Sequence, residues 1–141
     1  MRRILTLGGT VLLLSSVCYA FVIRPFNLHG RQITDLVLCR DYVQFIVEYH
    51  EAHGQYPPTL LAAVQHDRFE QFGSLRNAWG HPLEYQSDGS TFLLVSLGRD
   101  GKRDGSDYSA LRANKAWAKV CGDWNADQVF SDQGEHRICG K

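Results

Sequence analysis

The sequence predicts an α+β fold in which a long amino-terminal helix precedes a small antiparallel sheet. Two patterns in this chain of 141 residues carry the prediction. Apolar side chains recur every three or four positions from about Gly30 to His53, which is typical of an amphipathic helix. Two apolar runs, at 82–86 and 91–96, then flank an Asp88-Gly89 turn, a sequence that favours a β-hairpin.

The predicted helix alternates apolar and polar positions at helical spacing. Gly54 is its expected end, because Pro57-Pro58 prevents the helix from resuming. Thr59 is placed to cap a second, short helix that runs through Val64. The apolar positions of the long helix are Ile33, Leu36, Val37, Tyr42, Val43, Phe45, Ile46 and Tyr49. The polar positions between them are Asp35, Arg40, Asp41, Gln44, Glu48 and Glu51.

The elements after the hairpin are less regular. We expect a short helix from Ala110 to Val120 and one more strand around 128–130. The aromatic side chains near the hairpin are expected to fill the core between the sheet and the long helix. These residues are Trp79, Tyr85 and Phe92.

The first 26 residues form a separate segment, which we predict to be a transmembrane or signal-anchor helix. The stretch from Ile4 to Ile23 has no charged residue, and about twenty residues in a helix span about 30 Å, the thickness of a bilayer core. Arg2-Arg3 before it favours an amino terminus in the cytoplasm, which places residues 27–141 outside the inner membrane. A signal peptide cleaved after Ala20 is the alternative. If uncleaved, the segment continues into the amphipathic helix, with a kink at Pro25 and Gly30.

The composition limits the classes of function that the chain can have. The chain has 15 basic and 15 acidic side chains, and this balance excludes a general nucleic-acid binder, which carries a basic excess. The four cysteines fit an exported protein in an oxidising compartment. A Cys121–Cys139 disulfide would close a loop of about 19 residues and contribute about 3 kcal/mol. Cys39 would then be a small buried apolar residue, although a Cys39–Cys121 pair stays open.

Residues 96–108 form a loop that combines three aspartates with three glycines. Carboxylate and carbonyl oxygens can converge on a hard cation in such a loop, because glycine permits the turns that aim them. Three neighbouring carboxylates would also repel one another unless a cation lay between them. The alternative is a solvated Gly/Asp loop without an ion.

Several blocks of sequence together resemble a known family. A Gly-Gln-Tyr-Pro-Pro-Thr-Leu segment at 54–60 follows the helix, then Trp-Gly-His-Pro at 79–82 with Tyr85, then Ser-Leu-Gly-Arg-Asp-Gly at 96–101. With an apolar segment before the helix, this order resembles the major pseudopilins of bacterial type II secretion systems and their pilin-like relatives. The resemblance covers about residues 33–108.

The resemblance implies a fold and a location. In this family the first half of a long helix lies in the inner membrane, as a single pass. Its second half packs on a small antiparallel sheet in the periplasm. It also implies a structural subunit that assembles with copies of itself or other pseudopilins and with inner-membrane secretion components, and that is not an enzyme. A monomeric exported binding or scaffolding domain with the same fold is the alternative.

The resemblance further implies a calcium ion in the aspartate loop. Carried over by position, the expected carboxylate ligands are Asp100, Asp104 and Asp107, and the expected carbonyl ligands are those of Leu97 and Arg103. The chain departs from the family at its processing site, since Gly8-Gly9 is followed by Thr10-Val11-Leu12 and no acidic residue occurs between Ile4 and Ile23. The cysteine-bounded tail is also an addition. The sequence therefore predicts a diverged relative.

Other patterns fit known sites poorly. Asp123, Asn125 and Asp127 have the one-three-five spacing of an EF-hand, but Gln128 replaces its glycine and Gly134 its final acid. A turn before a terminal strand is the better interpretation, and Asp123 or Asp127 could complete the loop's ion site. His50 and His53 fit a solvated helix end better than a zinc site. Ser96, His81 and Asp100 are the residue types of a hydrolytic triad, but no nucleophile elbow surrounds Ser96.

Overall fold

A computed structural model describes residues 16, 18–64, 75–104, 108, 124–132 and 134–138. The longest element is helix α1, Arg24–His53, which a π-helical turn at Tyr19–Ile23 precedes. Helix α2, Leu60–Ala63, is a single turn. Four strands follow: β1 Glu84–Ser87, β2 Phe92–Ser96, β3 Asp127–Ser131 and β4 Gly134–Ile138.

The predicted α+β fold is confirmed. The strands form one antiparallel sheet in the order β1-β2-β3-β4, so each strand pairs with its neighbour in sequence. Tyr85 pairs with Leu94 and Leu94 with Phe130, which places these residues in one row across the sheet. Helix α1 packs on the two central strands, β2 and β3. The predicted hairpin and the strand around 128–130 are therefore present, whereas β4 was not predicted.

Helix α1 begins earlier than the sequence pattern indicated. Its first residue is Arg24, whose N–H donates to the carbonyl of Tyr19, five residues earlier, so the helical path continues into the π-helical turn. Pro25 has no backbone N–H, and a wider turn beside a proline is a known way of keeping a helix continuous. The carboxyl end is as predicted: Gly54 adopts a left-handed conformation at φ 73°, and its N–H donates to the His50 carbonyl.

The buried face of α1 differs from the predicted one. Asp35, Cys39, Tyr42 and Ile46 follow one another at intervals of four, three and four, and each is almost fully buried. The placement of Asp35 on the polar face was therefore wrong. Two residues predicted on the apolar face, Ile33 and Val37, are 51% exposed. The correction follows from helical geometry, because the exposed pair lies on the side of the helix opposite the core.

The sheet buries residues on both faces. Phe92, Leu94 and Phe130 point toward α1 and pack with Cys39, Tyr42 and α2 in one apolar cluster. Alternate residues of the same strands point the other way, as the period of two in a strand requires. Leu93, Val95 and Val129 are among them, and they form a second cluster with Leu97 and Tyr108, which lie outside the strands. Strands β2 and β3 are accordingly the centre of the fold.

The helix cap at Thr59 and the hairpin turn at Asp88 are present as the sequence predicts. The side chain of Thr59 accepts a hydrogen bond from the Ala62 N–H at 3.2 Å and caps α2. In the hairpin turn, the Asp88 carboxylate accepts hydrogen bonds from the backbone of Ser90 and Thr91 and from both hydroxyls. These donors, led by the Thr91 N–H, hold the pKa of Asp88 well below its usual range.

Some predictions concern residues outside the described part of the chain. They include most of the apolar segment before residue 18, the helix from 110 to 120, and the Cys121–Cys139 disulfide. Within the described residues, no helix combines the length and the apolar character needed to cross a bilayer.

Candidate functional site

Asn77 organises the loop that precedes the sheet. Its Oδ1 accepts hydrogen bonds from the Trp79 N–H at 3.1 Å and the His81 N–H at 2.8 Å. Its Nδ2 donates to Ser96 Oγ at 3.1 Å and to the Leu97 carbonyl at 2.6 Å. The amide therefore uses both of its donors and both acceptor positions. This single buried side chain explains why the Trp-Gly-His-Pro block and the Ser-Leu-Gly block belong together.

Asp35 joins the same loop to helix α1. One carboxylate oxygen accepts from the Ala78 N–H at 2.9 Å, and the other accepts from the Ser96 hydroxyl at 2.7 Å. Ser96 is fully buried, and its hydroxyl is committed to this carboxylate. Ser96 thus has a structural partner on α1. His81 makes a different contact, with its Nε2 3.2 Å from the Arg99 carbonyl oxygen.

Burial raises the pKa of Asp35 above its usual value, and the hydrogen bonds from Ala78 and Ser96 only partly offset that rise. Because the folded-state pKa is raised, the contribution of Asp35 to stability is complete below its unfolded pKa. It is lost as the pH rises through the folded-state pKa. We therefore expect the stability of the wild type relative to Asp35→Asn to fall between acidic and neutral pH.

Urea unfolding at a series of pH values measures this difference. Asp41→Asn, on the same helix but half exposed, is the matched control for removing one carboxylate charge from α1. Asp35→Ala should lose about 2–4 kcal/mol at acidic pH, and less as the pH rises, because it leaves the Ala78 N–H and the Ser96 hydroxyl without their acceptor. A pH-independent difference between the wild type and Asp35→Asn would contradict the expected titration.

Asp127 is the centre of a second polar cluster, at the first residue of β3. Its carboxylate is fully buried and accepts from the Gly98 N–H and the Asp104 N–H, each at 3.0 Å, and from the Tyr108 hydroxyl. The Asp127 N–H donates in return to Asp104 Oδ2 at 3.2 Å. The aspartate loop is thus tied to β3 through one carboxylate.

Gly98 lets two backbone segments approach closely. A Cβ atom built on Gly98 would lie 1.8 Å from the Asn125 carbonyl oxygen, closer than any real contact. Arg99 next to it donates its N–H to the Trp124 carbonyl at 3.0 Å. The glycine of the Ser-Leu-Gly block is therefore required for steric reasons. The turn at Trp124 and Asn125 leads into β3, as the sequence predicts.

The predicted calcium ligands occupy different settings. Asp100 is exposed and accepts a local hydrogen bond from the Lys102 N–H at 3.1 Å, whereas Asp104 is half buried beside Asp127. The Leu97 carbonyl accepts from Asn77, and the Arg103 side chain pairs with Glu84, Nε to Oε2 at 2.8 Å. Asp107 lies outside the described residues. Among the residues described, no three His, Cys, Asp or Glu side chains are grouped to hold a metal ion.

Comparison with known proteins gives one local match. The similar protein is the type II secretion system core protein G of Xanthomonas campestris pv. campestris. Identity is 47% over 38 residues, which cover 26% of this chain and 27% of the length of core protein G. No family model matches the chain, and no solved structure matches it. The expected relationship to secretion pseudopilins is thus supported over a short stretch.

The remaining candidates are also placed by the structure. His50 stacks on Tyr56 with ring centroids 4.3 Å apart, and His53 stacks on Tyr49 at 4.0 Å, so both histidines pack against aromatic rings at the end of α1. Sequence reasoning missed the roles of Asn77 and Asp35.

Proposed function

We propose that this chain is a pseudopilin-like structural subunit of a type II secretion machine. In this proposal the chain is anchored in the inner membrane through its amino-terminal segment, with its domain in the periplasm. Its partners would be copies of itself or related subunits and inner-membrane secretion components. The local similarity to core protein G supports the proposal. The α+β fold, with one long helix packed on a small antiparallel sheet, agrees with it.

The observation that carries the proposal is an apolar stripe that begins at the last residue of the π-helical turn and continues along the outer side of α1. The stripe consists of Ile23, Phe26, Gly30, Ile33 and Val37, which alternate at intervals of three and four residues. Phe26 is 78% exposed, and Ile33 and Val37 are each 51% exposed. This spacing is typical of a helix that packs against another helix. Because the opposite side of α1 already packs on the sheet, the stripe is available to a second subunit.

Crosslinking of the full chain in bacterial membranes tests self-assembly. Val37→Asp should reduce crosslinked dimers and larger species by at least about tenfold, because it places a charge in a packed apolar interface. Leu61→Asp is the matched control, since Leu61 is an aliphatic side chain of similar exposure, 53%, outside the stripe. Absence of crosslinking in the wild type would favour a monomeric exported domain, and equal loss in both variants would mean that the stripe is not the interface.

We also propose a calcium ion in the aspartate loop. The carboxylates of Asp100, Asp104 and Asp107 and the carbonyls of Leu97 and Arg103 would hold it. These are the hard oxygen donors that calcium prefers. The half-buried Asp104 beside the buried Asp127 supports the proposal, because a cation would lower the repulsion between their carboxylates. Bound there, calcium would fix the loop against the start of β3.

Thermal unfolding with calcium or with a chelator tests this proposal. Calcium at one hundred times its dissociation constant should stabilise the wild type by about 2.7 kcal/mol, because it binds the folded state alone. Asp107→Asn should remove most of that shift, whereas Asp41→Asn, on α1, should keep it. If the melting temperature of the wild type is the same in calcium and in chelator, the loop is a solvated turn.

A further inference from the structure

A cleft of about 370 Å³ lies between the lower part of α1 and the loops at the base of the sheet. Its volume is within the range of about 300–1,000 Å³ found for ligand sites. The residues that line it are Tyr19, Arg24, Asn27, Leu28, Arg31, Trp79 and Arg99. The helix contributes one face, since positions 24, 27, 28 and 31 follow helical spacing.

The cleft concentrates positive charge. Arg24 and Arg31 reach it from α1, and Arg99 reaches it from the aspartate loop. None of its lining residues is acidic. Across the described part of the chain, no carboxylate pairs with these three guanidinium groups. Three arginines on one concave surface favour an anion, because a guanidinium matches the geometry of a phosphate with two parallel donors.

The π-helical turn adds an aromatic ring to the same cleft. The Tyr19 carbonyl accepts from the Arg24 N–H, so the turn stacks these two residues along the helix axis. Trp79 also lines the cleft, from the loop that Asn77 organises. Tyrosine, tryptophan and arginine together are typical of protein surfaces at the boundary between lipid and water.

The surroundings of the cleft point to a lipid rather than a free anion. Phe21 is 77% exposed two residues after Tyr19, which is itself 58% exposed at the edge of the cleft. Large exposed aromatic side chains beside a cationic site fit the acyl boundary of a bilayer, with the charged site at the level of the headgroups. A dissolved phosphate would make no use of these apolar side chains.

We propose that this cleft binds the phosphodiester of an anionic phospholipid headgroup and so orients the domain on the membrane surface. Arg31 and Arg99 hold the phosphate oxygens from two sides, and Trp79 and Tyr19 pack against the glycerol portion. This site would fix the lower part of α1 at the surface of the membrane. The inference does not require filament assembly, so a chain that binds lipid without crosslinking, or the reverse, would separate the two proposals.

Titration calorimetry of the full chain in a neutral detergent tests the site. The probes are dihexanoyl phosphatidylglycerol, dihexanoyl phosphatidylcholine and inorganic phosphate. We expect saturable binding of the phosphatidylglycerol, at least about tenfold tighter than binding of either other probe. Arg31→Ala and Arg99→Ala should each weaken it by about tenfold or more, because each removes charged hydrogen bonds to the phosphate.

Lys102→Ala is the matched control, since it removes one exposed positive charge from the same loop outside the cleft, and it should change affinity less than about twofold. Arg31→Lys keeps the charge but not the paired donors, and should lie between the wild type and Arg31→Ala. Equal binding of the two lipids, or equal loss in Arg31→Ala and Lys102→Ala, would overturn the site. Inorganic phosphate that binds as tightly as phosphatidylglycerol would overturn the lipid assignment.

Discussion

Asp127→Ala is expected to lower the free energy of unfolding by about 4 kcal/mol, since it removes a buried acceptor that serves several donors. The Gly98 N–H, the Asp104 N–H and the Tyr108 hydroxyl would all lose their partner at once. A loss of this size is a large part of the stability of a typical domain, about 5–15 kcal/mol. Thermal unfolding in the presence of chelator should show a melting temperature lower by about 10–20 °C.

Related variants separate the hydrogen bonds from the packing. Tyr108→Phe removes one donor and should cost about 1 kcal/mol. Asp127→Asn keeps the shape and one acceptor, and should fall between Tyr108→Phe and Asp127→Ala. Asp100→Ala, in the same chelator, is the matched control, because among the described residues this exposed aspartate accepts a local hydrogen bond from Lys102, and it should stay within about 0.5 kcal/mol of the wild type. A similar loss in Asp100→Ala would contradict the central role of Asp127.

Gly98→Ala should destabilise the domain by about 3 kcal/mol, because its methyl group cannot share space with a backbone carbonyl. The clash is with the Asn125 carbonyl oxygen, so no side-chain rotation can relieve it. The two segments would have to separate, and the hydrogen bonds from Gly98 to Asp127 and from Arg99 to Trp124 would lengthen. Urea unfolding monitored by circular dichroism measures this loss.

Gly30→Ala is the matched control for this substitution. Gly30 lies within α1, and nothing is within 4 Å of a Cβ built there. Alanine has the higher helix propensity, so the same chemical change should stabilise the domain by about 0.5–1 kcal/mol. The two glycine variants should therefore shift stability in opposite directions. Equal effects at both positions would mean that the close approach at Gly98 does not limit the fold.

The elements that the sequence predicted well are those with local signals. Gly54 ends α1 because glycine adopts the left-handed conformation at low cost, and that property needs no knowledge of the rest of the chain. Asp88 and Gly89 specify the hairpin turn in the same way. Strand β4 was missed because its only clear signal is the turn that ends at Gly134. Helix ends and hairpin turns can therefore be predicted from residues that are close together in the sequence.

The roles of buried polar residues could not be predicted in this way. Asp35 belongs to a helix with apolar residues on two opposite sides, so spacing alone does not reveal which side meets the sheet. Its partners, Ala78 and Ser96, are 43 and 61 residues away in sequence. Asp127 likewise bonds residues 19 to 29 positions earlier. Such pairs become visible only when the chain folds, although the acidic loop itself was recognisable.

The wider turn at Tyr19–Ile23 sets the angle, measured around the helix axis, between the side chains before the turn and those of α1. A helix advances by about 100° for each residue, so removing one residue from this turn would rotate everything before it by about that angle. The side chains on either side of Arg24 would then face different directions around the helix axis. A single-residue deletion at this point would consequently change which side chains before the turn lie in line with a given face of α1.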